Sequence, residues 1–360
     1  MPSFLSTAIT ILAASQGVLA ACTNPSVRKS WSALTDDEKT SYISATLCLM
    51  DPAQAPAKTG YAGSTTRWEE LQAAHVSQAQ FVHSVGAFFP WHRWYMTVQE
   101  KLLRDDCGYT GPMPYWDEQA EQAVLPLENA SILNASATAG FGSASLDANG
   151  CVVDGPYTNV RLTLDTELNR VAPVCLSRDF KQKEYDQVAQ KIIDACMALE
   201  DYVNLNNCLG ASPHTGGHYA IGGTMDDPSL SPGDPLFFLH HTNLDRLWWQ
   251  WQAQNESRLT DIGGNNVAQG FFWSSVQPSS LGVNAFLPYF NDNGNETTLN
   301  HVMWMAGIAE NITIAEVMDI KSDAICIEYH LSFGLGILTS WHLEKWRRED
   351  GFKIPSWVER

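Results

Sequence analysis

The sequence predicts a mainly α-helical domain, an antiparallel helix bundle with long loops and minor β structure. Three observations lead there. Apolar residues recur at helical spacing in several long segments, some opened by capping residues. Strand-like apolar runs are confined to short late stretches such as "AICIEYHLSFG". Hydrophobic residues make up 44% of 360, enough for a sizeable core and too many for a disordered chain.

Within 26–50, Thr35 precedes Asp36-Asp37-Glu38, the N-cap and acidic first turn of a helix. Trp68, Leu71, His75 and Val82 repeat at helical spacing across 66–83. Residues 91–106 read as the next helix, stopped by Cys107-Gly108. Gly, Ala, Ser and Asn dominate 129–165, which is expected to be a long surface loop. A helical pattern runs from Asp179 to Asn204, and "NNCLGASP" after it reads as a turn. A further helix begins at 241–254, and beyond 258 the chain turns loop-like, with Gly263-Gly264 and Pro278. No internal repeat or linker divides residues 21–360, which are read as one domain.

The first twenty residues, "MPSFLSTAITILAASQGVLA", form an apolar stretch too short to span a bilayer. They end in Val18-Leu19-Ala20, small enough for cleavage before Ala21, so 1–20 are expected to be a signal peptide and the protein secreted. Glycosylation sequons at Asn129, Asn134, Asn255, Asn295 and Asn311 fit that route. So do eight cysteines, all beyond the cleavage point: Cys22, Cys48, Cys107, Cys151, Cys175, Cys196, Cys208 and Cys326. Disulfides are expected, with the pairing open, and no close Cys-x-x-Cys pair supports a zinc ribbon or thioredoxin-type site. A formal charge of −18 repels phosphate backbones and anionic lipid, which excludes nucleic acid and membrane surfaces as expected partners.

Six of the ten histidines fall into two triplets: His75, His83 and His92, then His214, His218 and His241. Residues four apart share a helix face, so His214 and His218 can serve one ion. His241, opening the next helix, can complete the set. His75, His83 and His92 come from two neighbouring elements in the same way. Neutral imidazole suits copper, zinc, iron and nickel, and three ligands per ion leave reactive positions open. The absence of an accompanying carboxylate at facial-triad spacing lowers non-haem iron. Taken singly, each of these histidines is more often a satisfied core residue; six at such spacings, flanked by aromatics, are not. His301, His330 and His342 lack such neighbours and read as ordinary surface or core residues.

These residues resemble the tyrosinase and catechol oxidase family of type-3 copper proteins, most closely its short secreted fungal members. "DPLFFLHHTNLDRLWWQW" resembles the second copper signature. "FFPWHRWY", followed by Glu100, Cys107-Gly108-Tyr109 and "PYWD", resembles the first. Looser similarity covers "CLSRDF", "GHYAIGGTM" and "AEVMDIKSDAICIEY". The resemblance implies a helix bundle holding a dicopper centre, with copper A on His75, His83 and His92 and copper B on His214, His218 and His241. The second residue of the His240-His241 pair is the implied ligand, with His240 packed beside it. Asp245 is expected to pair with Arg246 or support a ligand, outside the metal's own contacts.

The implied reaction oxidises a small o-diphenol or o-aminophenol to a quinone, with O2 as co-substrate reduced to water. Thr215 stands where the family's monophenol hydroxylation is linked to an Asn, and Tyr219 follows the second copper-B histidine. Both are candidates for tuning the substrate, and Thr215 predicts weak or absent monophenolase activity. Phe81 replaces a family cysteine, so no thioether to His83 is expected. No C-terminal shielding domain is expected either, so the protein is expected to be active as secreted or gated only by a loop near Met225 to Leu230. Alternatives are a monophenolase-active tyrosinase, a natural-product tailoring oxidase, or a non-catalytic O2 carrier.

Overall fold

In the computed structural model, residues 22–330 apart from Asn293 are described; the predicted signal peptide and His342 lie outside them. A short strand, β1 (Ser26–Ser30), opens this region and runs on towards helix α1 (Asp36–Met50). The expected cap at Thr35 is a full capping box: its hydroxyl accepts from the Glu38 N–H and the Glu38 carboxylate takes the Thr35 N–H.

The predicted helix over 66–83 is two, α2 (Arg67–Val76) and α3 (Ala79–Val82). Between them the Ser77 hydroxyl and Gln78 amide bond back to the Ala74 carbonyl, competing with continuation of the helix. Helix α4 (Phe88–Cys107) starts earlier than 91, so His92 lies one turn inside; Gly108 at φ 66° ends it. Strand β2 (Met113–Tyr115) and the short helix α5 (Glu118–Gln122) follow.

The stretch 129–165 is more than a surface loop. It has little regular structure, yet Ile132, Phe141 and Tyr157 are wholly buried, Phe141 against Trp31 and Tyr157. The hairpin β3 (Arg161–Leu164) and β4 (Arg170–Cys175) closes this excursion. Helices α6 (Gln182–Tyr185), α7 (Gln190–Met197) and α8 (Tyr202–Leu209) then carry the chain into "NNCLGASP". That segment is not a turn: α8 runs through Leu209 into a π-helical turn, Gly210–His214, and on into α9 (Thr215–Ile221).

Helix α10 (Leu236–Gln252) also starts earlier than expected, placing His241 within it rather than at its opening. It packs on α4, and α4 on α1, as the helical core. Further on come α11 (Phe271–Val276), α12 (Val283–Phe286), the hairpin β5 (Val302–Met303) and β6 (Ile312–Thr313), α13 (Ile314–Val317) and β7 (Ile327–His330). Strand β1 pairs in parallel with both β2 and β7.

A buried charge cluster locks this sheet to the bundle. Asp245 of α10 accepts from Arg28 of β1 at 2.8 Å and from Arg93 of α4 at 2.5 Å, and from the Tyr329 hydroxyl of β7 at 2.5 Å. Four disulfides, Cys22–Cys326, Cys48–Cys107, Cys151–Cys175 and Cys196–Cys208, use all eight cysteines. Among the described residues no helix is long and apolar enough to cross a membrane.

Candidate metal centre

Helices α2 and α4 and the segment after α3 bring His75, His92 and His83 together; all three are buried. His83 stands in extended backbone just past α3, which frees its ring from the helix face. The π-turn, α9 and α10 bring together His214, His218 and His241, with His240 alongside. Within each group the ligand atoms lie within 4.8 Å of one another. The two groups face each other: His92 stacks on His241 with centroids 4.3 Å apart, and His83 on His214 at 6.0 Å.

The tautomers are fixed by the backbone. Nδ1 of His75 lies 2.8 Å from the Ser229 carbonyl, of His83 2.8 Å from Ala79, and of His92 2.8 Å from Phe88. The corresponding contacts are His214 to Gly210 at 3.2 Å and His218 to Met225 at 2.7 Å. A carbonyl only accepts, so each Nδ1 carries the proton and each Nε2 a lone pair. Nε2 of His75, His92 and His214 is buried with no partner at all. His218 and His241 bring their Nε2 atoms to 3.1 Å.

Buried lone pairs without donors are costly, and a cation relieves that cost. Burial, reinforced by neighbouring imidazoles, holds His75, His92, His214, His218 and His241 well below the ordinary imidazole range. Burial, opposed by the hydrogen bond to the Ala79 carbonyl, brings His83 to about 4. Neutral imidazole is the ligating form, so the donor set fits two soft-to-borderline metal ions, three nitrogens each.

His240 is excluded as a ligand because both its nitrogens are committed. Nδ1 meets the Glu118 carboxylate at 2.5 Å and Nε2 the His214 carbonyl at 3.1 Å. Glu118 also accepts from Asn243, completing a buried strut under the 214–218 segment. Only glycine fits at 217, since a Cβ there would sit 2.3 Å from the His240 ring. The one sequence signal for Glu118 is its place directly after "PYWD".

Asp245 does not pair with Arg246. Adjacent residues on a helix do not face each other; Arg246 instead bonds Asp117, Gln119 and Asn243. In the segment expected as a gate, Met225 and Ser229 supply two of the carbonyls above and are themselves buried.

A cavity of about 340 Å³ opens onto the histidines, walled by His83, His214, His218, Asn206, Phe272 and Trp273. Thr215 and Tyr219 line it too; the Thr215 hydroxyl donates to the Gly210 carbonyl at 3.0 Å, and Tyr219 is partly exposed. Trp273 stacks on His83 with rings 4° from parallel, a contact no motif announces. Phe81, in place of the family cysteine, packs with Phe286 and Phe290. Asn129, Asn134, Asn255, Asn295 and Asn311 are exposed. His301 is buried against Asp292, and His330 is exposed on β7.

Two facing three-histidine groups on a helical scaffold form a candidate binuclear metal site. A family model described as the common central domain of tyrosinase matches residues 65–254, more than half the chain, and the protein belongs to the tyrosinase family. Members of this family hold paired copper ions on histidines. Tyrosinase-like protein phomQ1 of Diaporthe leptostromiformis is 31% identical over 331 residues, covering 86% of this chain and 78% of that protein. N-acetyl-6-hydroxytryptophan oxidase ivoB of Emericella nidulans is 29% identical over 356 residues, covering 85% and 92%. A solved polyphenol oxidase mutant from Thermothelomyces thermophila shares the fold, with a TM-score of 0.69 at 24% identity over 85% of this chain and 89% of that one.

Proposed function

We propose that this chain is a secreted, glycosylated copper oxidase converting o-diphenols or o-aminophenols to quinones while O2 is reduced to water. The observation that carries this reading is the pair of histidine trios with buried, unpartnered Nε2 lone pairs on His75, His92 and His214. In it, His75, His83 and His92 hold copper A, and His214, His218 and His241 hold copper B. When bound, the copper pair supplies a two-electron store and the place where dioxygen is reduced. Two diphenols release four electrons and four protons, which is what one O2 requires to become two waters.

The protein's own residues orient and exclude. Backbone carbonyls hold five imidazoles in one tautomer, so the ligand set does not have to reorganise. Phe272 and Trp273 give the entering ring an aromatic wall. The Thr215 hydroxyl, its proton committed to Gly210, is a weak acceptor and a poor base for a monophenol. A diphenol, already the easier reductant, makes no such demand, so monophenol hydroxylation is weak or absent.

The similarity to an oxidase named for N-acetyl-6-hydroxytryptophan favours a second reading, a tailoring oxidase for a larger hydroxylated aromatic metabolite. The test is copper loading followed by oxygen uptake with monophenols, o-diphenols, o-aminophenols and hydroxyindoles. Two magnetically coupled coppers per chain with diphenol turnover are expected. Two coppers without turnover of any phenol would leave an O2 carrier, and fewer than two would overturn the reading.

A further inference from the structure

Asn206 is a buried polar group in the cavity that neither metal site uses. It lies on α8, is 6% exposed, and lines the cavity with His83 and His214. Its Nδ2 donates to the Val85 carbonyl at 3.0 Å, which fixes the nitrogen end and turns Oδ1 the other way. That Oδ1 is buried and has no donor. The next residue on the same helix face, four along, is Gly210, where even a Cβ would meet open space. Gly210 itself adds no side chain over the amide.

An unpaired buried carbonyl is a standing cost that a donor from the cavity's contents removes. The other polar groups nearby are also acceptors or neutral. Ser231 contributes a second buried hydroxyl oxygen without a partner, and Asp226 a carboxylate; no Lys or Arg lines the cavity among the described residues. A cavity of about 340 Å³ is also larger than one phenolic ring needs, leaving room for a substituent.

We propose that Asn206 is a specificity-determining residue whose Oδ1 accepts a hydrogen bond from a ring substituent, so that the site selects phenolics carrying an N–H or O–H donor over those carrying a carboxylate. This deepens the oxidase reading and rests on it for the orientation of the ring, with the reacting hydroxyls at the histidines and the substituent at Asn206. The residue positions the substrate and takes no part in electron transfer.

The test compares wild type with N206A and N206S on the copper-loaded protein; the serine retains a hydroxyl that can cap Val85. Turnover is measured with 3,4-dihydroxybenzamide, its N,N-dimethyl amide and 3,4-dihydroxybenzoate. Calorimetric titration uses benzamide and N,N-dimethylbenzamide, which are not oxidised. In wild type, KM for the primary amide should be about tenfold below that of the dimethyl amide, the discrimination expected of one hydrogen bond. The carboxylate should be the poorest of the three. Both variants should raise KM for the primary amide and Kd for benzamide about tenfold, leaving kcat, copper content and both dimethyl amides within twofold. If the dimethyl preference ratio persists in both variants, or all ligands weaken together, the assignment is overturned and the cavity holds only water at Asn206. Benzamide discrimination without catechol turnover would uphold Asn206 and overturn the oxidase reading; turnover with no amide discrimination would do the reverse.

Discussion

Replacing Asp245 tests the scaffold most directly. Its carboxylate is 3% exposed and meets two guanidiniums, Arg28 at 1% and Arg93 at 0% exposure. Removing it strands two buried cations, and breaking such a cluster costs about 3–5 kcal/mol. An exposed pair on the helix surface, the arrangement the sequence led one to expect with Arg246, would instead cost about 0.5 kcal/mol or less. The assay is denaturant unfolding of metal-stripped Asp245→Asn and Asp245→Leu with disulfides intact, followed by double-mutant cycles against Arg93→Met and Arg246→Met. Coupling of about 2 kcal/mol or more with Arg93 and near zero with Arg246 is expected. Because Arg93 follows His92 and Asp245 lies one turn past His241, the same variants should weaken copper binding at both sites. A loss below about 1 kcal/mol, or stronger coupling to Arg246 than to Arg93, would refute the reasoning.

Three further outcomes follow. Copper analysis of folded protein should give one ion per chain for His241→Gln and two for His240→Gln; the reverse would exchange their roles. Glu118→Gln weakens the strut to the His214 carbonyl and should lower copper-B affinity about 10–100-fold with copper A retained, read by chelator competition. In metal-stripped protein the depressed imidazoles make stability fall with acid. Above pH 6.5 folded and unfolded rings are both neutral and the effect is absent; as pH falls, the unfolded chain binds protons that the folded rings refuse. For His83 the interval from 6.5 to about 4 amounts to about 3 kcal/mol lost by pH 4, with the other five rings adding in the same direction. Melting temperatures that stay flat from pH 7 to 4.5 would contradict the burial.

The histidine set was legible because its chemistry is written in residue type and spacing, and the choice within the His240-His241 pair came from the resemblance alone. What escaped was of two kinds. Tertiary partners such as Glu118 for His240, or Arg28 and Arg93 for Asp245, are separated by 122, 217 and 152 positions, and no local pattern links them. Helix boundaries drifted where local rules compete. "NNCLGASP" has the composition of a turn, with Gly210 and Pro213, yet the chain spirals on as a π-turn because His214 and Thr215 both bond back to the Gly210 carbonyl. Similarly, Ser and Asn in 129–165 signalled a loop correctly but said nothing about Phe141 and Tyr157 filling the space beside Trp31.

The segment 225–230 links the two halves of the site. Its Met225 carbonyl fixes His218 and its Ser229 carbonyl fixes His75, so one loop sets a tautomer in each metal group. The loop is itself pinned. Asp227 accepts the Ser229 and Leu230 N–H groups at 2.8 Å each, Gln72 donates to the Leu230 carbonyl at 3.0 Å, and the Ser229 hydroxyl donates to Val276 at 3.0 Å. Swinging it aside would release two ligands' orienting bonds together with the Gln72 and Val276 contacts, while the Asp227 bonds keep the loop's own shape. Tyr219 and Phe272, which line the cavity, are 38% and 53% exposed. The loop serves as a brace common to both halves of the centre.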